Sequence, residues 1–122
     1  MLTSTGGAGH PPNEGFDFFL RTYSQVLQRR GGDHAVGRKL YALFLAAGIP
    51  DPQVALVQPL PLEGEEKTLP WSTLEASTEA IVSEHLASND EVTAALASLQ
   101  HFTEDPQTLI CGPRIFQLWS RR

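Results

Sequence analysis

Only two segments of this 122-residue sequence are typical of β-strands, and this small number constrains the fold more than any other feature. Residues 53–58 are apolar and β-branched between Pro52 and Pro59, which predicts a strand covered on both faces. Residues 108–120 predict a second strand, interrupted at Gly112-Pro113. A ribbon of two strands is marginally stable in water, and its open edges favour further pairing. We therefore expect something else to complete this sheet.

Four helices are predicted around these strands. The first begins near Phe16 and ends at Gly31-Gly32. Its apolar residues recur at helical spacing, at Phe16, Phe19, Leu20, Tyr23, Val26 and Leu27. The second helix is capped by Asp33 and ends at Gly48. Its predicted buried stripe consists of Val36, Leu40, Leu43, Phe44 and Ala47.

The third and fourth helices are predicted within residues 72–103. Capping boxes at Ser72-Thr73-Leu74-Glu75 and Ser88-Asn89-Asp90-Glu91 indicate where each begins. Residues 59–70 contain three prolines and several charges, which predicts an exposed loop. Residues 1–14 show no periodicity and predict a flexible arm, so residues 15–122 form one predicted α+β domain.

Composition excludes several classes of function. The formal net charge is −5, from 9 Lys+Arg and 14 Asp+Glu, and the cations are scattered along the sequence, which argues against a nucleic-acid binder. A single cysteine allows no internal disulfide. No apolar run approaches the roughly 18 residues of a membrane span, and no secretory signal is present. We expect a cytoplasmic protein without membrane contact.

The residue pattern indicates no catalytic or metal-binding motif. The four histidines include no pair at the i, i+4 spacing of a helical metal site. Cys111 lies in an apolar strand, where inert packing is the expected role. Glu84-His85 is the one acid–histidine pair worth testing, because His85 falls on the apolar stripe of the third helix. A packed histidine is the simpler interpretation.

Four blocks of the sequence resemble the carboxyl-terminal part of class I S-adenosylmethionine-dependent methyltransferases. They are FDFF at residues 16–19, RRGGDHAVGRKL at 29–40, AGIPDP at 47–52 and PRIFQLWSRR at 113–122. The resemblance covers about residues 10–122 and implies the last two strands of a seven-stranded sheet. The final strand would then insert antiparallel between the fifth and the sixth. The helices within residues 72–103 would help to shape the substrate side.

The resemblance also implies which side chains would face a ligand. His10, Phe16, Phe19 and Tyr23 would lie near the substrate site, although an apolar helical stripe is more often core. Trp71 is either a hydrophobic staple ahead of the third helix or a lid on a pocket. A small apolar ligand would bind near Tyr23, Trp71 and His85.

The sequence departs from the family at the cofactor site. Residues 6–9 (GGAG) are followed by Pro11-Pro12 and lack the third glycine of a Gly-x-Gly-x-x-Gly loop. We therefore expect no cofactor-binding and no catalytic residue in this chain, and no cofactor bound to it alone.

Three hypotheses follow, in order of preference. The first is a truncated, non-catalytic methyltransferase-like module of four helices and a two-stranded antiparallel hairpin. It would complete its sheet as a homodimer through the exposed edge of the last strand. The second is a small-molecule binding module that retains the substrate-side pocket. The third is a subunit of a split methyltransferase, whose cofactor-binding half is another polypeptide.

Overall fold

The computed structural model describes residues 2–3, 8–33 and 36–121. These residues form four α-helices, one 3-10 turn and five short strands, which confirms the predicted α+β class. In chain order the elements are β1 (Leu2–Thr3), β2 (Ala8–His10), α1 (Glu14–Arg29), the 3-10 turn (Val36–Lys39), α2 (Leu40–Ala46), β3 (Gln53–Val57), α3 (Glu65–Ser83), α4 (Asn89–Glu104), β4 (Leu109–Cys111) and β5 (Arg114–Trp119).

Helices α1, α3 and α4 pack against one another as a bundle around a single apolar core. The core residues are Phe16, Phe18, Phe19, Val26, Leu74, Ile81, Val92, Ala95, Leu99, Phe102 and Ile110. Gly15 permits the close crossing of α1 and α4, because a Cβ at this position would lie 2.6 Å from the carbonyl oxygen of Ala95. None of the described helices is long and apolar enough to cross a membrane.

The strands form two separate antiparallel sheets. Strand β2 pairs with β4 from Ala8↔Cys111 to His10↔Leu109, and Ile110 of β4 is buried in the bundle core. The other sheet has the order β1-β5-β3, with β3 paired to β5 from Gln53↔Trp119 to Val57↔Ile115. The predicted strands therefore pair, but the sheet has three strands where the sequence analysis expects two. We call β1-β5-β3 the terminal sheet.

Residues 108–120 are two strands in different sheets, where the sequence analysis predicts one interrupted strand. The break falls at Gly112-Pro113, because proline has no N–H to donate to a ladder. The Gly112 N–H instead donates to the Pro59 carbonyl at 2.8 Å, and the Gln58 amide donates to the Gly112 carbonyl at 3.0 Å. These bonds fix the point at which the chain passes from the bundle to the terminal sheet.

The predicted start of the third helix is wrong. Helix α3 begins at Glu65 and contains Pro70, so the proposed capping box at residues 72–75 lies inside the helix. Lys67 in its first turn is buried, and its Nζ donates to the carbonyls of Asp105 at 3.0 Å and Thr108 at 2.8 Å. This cation ties the start of α3 to the end of α4. Nothing in the sequence distinguishes Lys67, because it lies in a charged segment predicted to be a loop.

Helix ends are predicted more accurately than helix starts. Gly31 has φ 80° and the Gly32 N–H donates to the Leu27 carbonyl at 2.8 Å, which confirms the glycine stop of α1. Gly48, with φ 76°, ends α2 in the same way. The box at Ser88 and Glu91 caps α4 as predicted. Asp33 does not cap α2, because α2 begins after the 3-10 turn. The Asp33 carboxylate instead accepts a hydrogen bond from Lys39 Nζ at 2.7 Å.

The predicted amino-terminal arm contains two short strands. Residues 2–3 are β1 and residues 8–10 are β2, so parts of this segment pair with β5 and β4. The glycines at positions 6 and 7 lie outside the described residues, as does His34. Within the described part, Ala8 and Gly9 belong to a strand.

We expect Leu99→Ala to lower the free energy of unfolding by about 2–5 kcal/mol, because Leu99 is fully buried and its truncation leaves a cavity. The matched substitution Leu56→Ala removes a side chain that is 55% exposed, and should cost under about 1 kcal/mol. Urea unfolding measures both. Equal losses would contradict the assignment of the core to the bundle.

A second pair of variants tests the buried cation. Lys67→Met leaves two carbonyls of the α4–β4 turn without their charged donor, and we expect a loss of about 1–3 kcal/mol. Lys39→Met removes an exposed ion pair with Asp33 and should cost under about 1 kcal/mol. Thermal and urea unfolding would be compared at one pH. If the Lys67→Met protein were as stable as the Lys39→Met protein, the hydrogen bonds of Lys67 would contribute nothing to the free energy of unfolding.

Candidate functional site: the uncovered sheet

The terminal sheet carries apolar side chains on both of its faces. The register places Val54 and Leu56 opposite Leu118 and Phe116, and alternation puts these four on one face. The other face carries Ala55, Val57, Ile115 and Trp119, with Gln53 and Gln117 among them. Both faces therefore have the character of a strand surface that is normally buried.

The part of the chain that the structure describes covers both faces only in part, because β3 is largely exposed while Ile115, Phe116 and Leu118 of β5 are half-buried. Val54, Leu56 and Val57 are 49%, 55% and 45% exposed, so the prediction that residues 53–58 are covered on both faces is wrong. The 3-10 turn lies against β1 and β5, but none of the four helices makes more than marginal contact with the sheet. The reason is geometric, because the three bundle helices direct their apolar sides at one another.

Helix α2 is uncovered in the same way. None of its residues is buried, and Tyr41, Leu43 and Leu45 are about half exposed. The predicted buried stripe is therefore wrong for Leu43 and Ala47, while Val36, Leu40 and Phe44 are half-buried. We use the term uncovered surface for the exposed large hydrophobic residues of α2, β3 and β5, namely Tyr41, Leu43, Leu45, Val54, Leu56, Val57 and Trp119. These residues are distributed over α2 and both faces of the sheet, and Val54 and Leu56 are neighbours on one face. An exposed patch of large apolar side chains is typical of an interaction site.

The last strand also retains part of a free edge. Strand β3 occupies one side of β5 along residues 115–119, but on the other side β1 pairs only with Arg114 and Ile115. Along residues 117–119 that side has no partner strand among the described residues. The predicted free edge is thus limited to the end of β5, because β1 pairs with the first two residues of β5.

The aromatic residues predicted to face a ligand lie in the bundle. Phe16 and Phe19 are core residues, 2% and 9% exposed, with ring centroids 6.1 Å apart. Tyr23 is half-buried and stacks on Phe19 at 5.6 Å. His10 is exposed in β2. The structure therefore brings Phe16, Phe19 and Tyr23 together as a packed cluster, and His10 lies at the surface.

Trp71 lies inside α3 and is half-buried against the core, so the predicted staple ahead of the helix is wrong. It borders a shallow groove between α3 and α4 with Thr68, Gln100, Thr103 and Glu104. Its buried Nε1 has no hydrogen-bond partner in the described structure. None of the other five predicted ligand-facing residues lines this groove.

The pair Glu84-His85 forms the end of α3. His85 is exposed and has φ 58°, and the Leu86 N–H behind it donates to the Ile81 carbonyl at 3.0 Å, which is the glycine position of a helix stop. Arg29 donates to the Glu84 carbonyl at 2.7 Å, and Arg30 lies 3.7 Å from the Glu84 carboxylate. The pair thus joins the ends of α1 and α3, and the prediction that His85 lies on the apolar stripe is wrong.

No group of three potential metal ligands occurs among the residues that the structure describes. Cys111 is a half-buried free cysteine in β4. Among the predicted ligand-facing residues, Phe16, Phe19 and Tyr23 are packed together, whereas His10 and His85 are exposed. The uncovered surface is therefore the candidate site. The apolar pattern of residues 53–58 indicates a strand with two apolar faces, but a sequence pattern does not show whether another element covers them.

We expect His85→Gly to raise the free energy of unfolding by about 0.5–1 kcal/mol, because glycine adopts positive φ without steric cost. Ser83→Gly, at an exposed position in the helical part of α3, is the control and should be destabilising. A His85→Gly protein of lower stability than wild type would contradict the helix-stop role.

Comparison with models of known protein families and with curated proteins yields no match to this chain.

Proposed function

We propose that this chain is the carboxyl-terminal, non-catalytic part of a methyltransferase-like fold, and that it functions assembled with a polypeptide that supplies the cofactor-binding half. The observation that supports the proposal is the terminal sheet, which carries apolar residues on both faces and leaves those of β3 about half exposed. Such strands are typical of a sheet with helices on each side. Apolar area left in water favours a partner that covers it.

The strand order supports the proposal. Strand β5 lies between β1 and β3 and runs antiparallel to both. Resemblance to class I S-adenosylmethionine-dependent methyltransferases implies the same position for the last strand, between the fifth and the sixth. In this proposal β3 takes the place of the sixth strand and β1 is the end of the fifth. The remainder of the fifth strand would pair with residues 117–119.

The proposal assigns no catalytic or cofactor-binding residue to the chain. Ala8 and Gly9 belong to β2, and α1 begins only after Pro11 and Pro12. The glycine-rich segment therefore does not lead directly onto a helix amino terminus, where a phosphate or carboxylate group is usually bound. The cofactor site of the assembly lies in the other half.

Self-association is the second candidate function, and the open edge of β5 at residues 117–119 favours it. Two copies paired at this edge would form a continuous sheet across a two-fold axis. This pairing leaves the faces of the sheet uncovered, whereas stacking of two sheets covers one face of each. A cofactor-binding half with helices on both sides would cover both faces, so we rank it first. The dispersed positions of the six predicted residues give a small-ligand site no comparable support.

The test is a fusion in which the cofactor-binding half of a class I methyltransferase, including its fifth strand except for the last two residues, precedes Leu2, so that β1 completes that strand. We expect amide hydrogen exchange in residues 53–57 and 114–119 to slow by about tenfold or more relative to the chain alone, because the sheet becomes covered. We also expect the fusion to bind S-adenosylhomocysteine more tightly than the cofactor-binding half alone, by calorimetry.

Leu56→Asp is the matched control, because Leu56 is more than half exposed in the chain alone. It should abolish the protection in the fusion and leave the melting temperature of the isolated chain nearly unchanged. Sedimentation of the isolated chain separates the two candidates. A stable dimer with protected strands in the isolated chain, or a fusion whose terminal sheet exchanges as fast as before, would contradict assembly with a cofactor-binding half.

A further inference from the structure

The peptide bond between Asp105 and Pro106 lies in the turn that follows α4, and several donors hold its carbonyl oxygen. Lys67 Nζ donates to this oxygen at 3.0 Å, and the Thr108 N–H donates to it at 3.2 Å. Thr108 Oγ1 lies 2.8 Å from the same oxygen and also donates to the Phe102 carbonyl. The oxygen of this one peptide bond therefore faces a buried cation, an N–H and a hydroxyl.

These donors lie where they would stabilise negative charge on the carbonyl oxygen. Such charge develops when a nucleophile attacks the carbonyl carbon. Lys67 is 2% exposed, and a cation shielded from water stabilises this charge more strongly than a cation in solvent. Asp105 and Pro106 are both exposed. The oxygen is thus held by the protein, while the bond itself remains open to water.

The side chain of Asp105 supplies a nucleophile for this bond. Its carboxylate can attack the carbonyl carbon of its own residue and close a five-membered ring, so the attack is intramolecular. Oδ1 accepts from the Gln107 N–H at 2.9 Å, and Oδ2 has no hydrogen bond from the residues that the structure describes. Pro106 has no N–H, so the competing ring closure between the carboxyl group and the following nitrogen cannot occur. Oδ2 is therefore available for the attack.

We propose that the chain cleaves its own Asp105–Pro106 bond. Oδ2 of Asp105 attacks the carbonyl carbon, and the negative charge forms on the oxygen that Lys67 and Thr108 hold. The bond between this carbon and the Pro106 nitrogen then breaks, and the nitrogen takes a proton from a water molecule. This step leaves a cyclic anhydride at Asp105 and a new amino terminus at Pro106. The hydroxide that remains hydrolyses the anhydride to two carboxyl groups, so the net reaction consumes one water molecule.

The cleaved bond precedes the last two strands. Cleavage separates residues 106–122, which contain β4 and β5, from the rest of the covalent chain. The burial of Ile110 and the pairing of β5 with β3 then hold this segment without a covalent link. Because β5 is the central strand of the terminal sheet, cleavage allows that strand to be exchanged or lost. The reaction is independent of the proposed function, since no partner contributes a residue to it.

A second Asp–Pro bond in the same chain, Asp51–Pro52, is the internal control. Among the described residues, its carbonyl oxygen accepts only from the Gln53 side-chain amide, at 3.4 Å. The two bonds have the same nucleophile and the same leaving group. A difference between them that appears only in the folded chain therefore reports the donors around the Asp105 carbonyl.

The test measures both cleavage rates in the folded chain and in urea. Samples would be incubated at a mildly acidic pH at which circular dichroism shows the native fold, and intact mass spectrometry would count the fragments from each bond. The ratio of the two rates in urea gives their intrinsic difference. We expect folding to raise this ratio in favour of Asp105–Pro106 by about tenfold or more, because a single oxyanion donor can account for more than that. An unchanged ratio, or an intact Asp105–Pro106 bond, would overturn the proposal.

Variants of the donors test their contribution. Lys67→Met removes the buried cation and should lower the folded-chain ratio by about tenfold or more. Lys39→Met removes an exposed cation and should leave the ratio unchanged. Thr108→Val keeps the buried volume, removes only the hydroxyl and should lower the ratio severalfold, so it serves where Lys67→Met does not fold. A wild-type ratio in a folded Lys67→Met protein, or in Thr108→Val, would contradict the role of the donors.

Two further measurements test the nucleophile. Asp105→Ala should abolish fragments 1–105 and 106–122 and change the melting temperature little, because the Asp105 side chain is exposed. Hydroxylamine added during the incubation should trap the anhydride as a hydroxamate on fragment 1–105. Undiminished cleavage of the Asp105→Ala protein would identify a contaminating protease and refute the proposal. Fragments that never carry the hydroxamate would refute attack by Asp105.

Discussion

The packing of three helices around one apolar core determines the position of everything else in this protein. Leu99, Ile81 and Phe16 exclude water from the centre of the bundle, and Gly15 lets α1 and α4 approach closely enough for this to happen. Each bundle helix contributes buried apolar residues to this core. The core residues of these three helices pack against one another and not against the terminal sheet, in which Val54, Leu56 and Val57 remain about half exposed. The uncovered surface is thus a direct consequence of a bundle that is complete in itself.

Local sequence patterns predict much of the secondary structure. The remaining elements depend on contacts between residues that are distant in the sequence. Gly31 and Gly48 end their helices as expected, since glycine adopts positive φ without steric cost whatever its neighbours are. The start of α3 could not be predicted, because Lys67 and the carbonyls that hold it are far apart in sequence. Helix α3 also contains Pro70, at a position where sequence patterns favour a loop.

For a related reason, the sequence predicts the apolar strand of the candidate site but not its exposure. The alternation of Val54, Ala55, Leu56 and Val57 correctly indicates a strand with two apolar faces, but it contains no information about what covers them. Aromatic residues at helical spacing, such as Phe16 and Phe19, are compatible with either a core or a ligand site. Only the packing of the folded chain shows which role they have.

The connection between bundle and sheet also sets an order of events during folding. Strands β3 and β5 are neighbours in space, yet all of α3, α4 and β4 lies between them in the chain. Closing so long a loop costs entropy, and the sparse burial of the sheet returns little for it. Docking of Ile110 in the bundle core shortens that loop, because the Gly112–Pro59 contact then holds the two strands near each other. The sheet is therefore expected to assemble last, on a bundle that is already formed, so its apolar residues stay exposed longest while the chain folds.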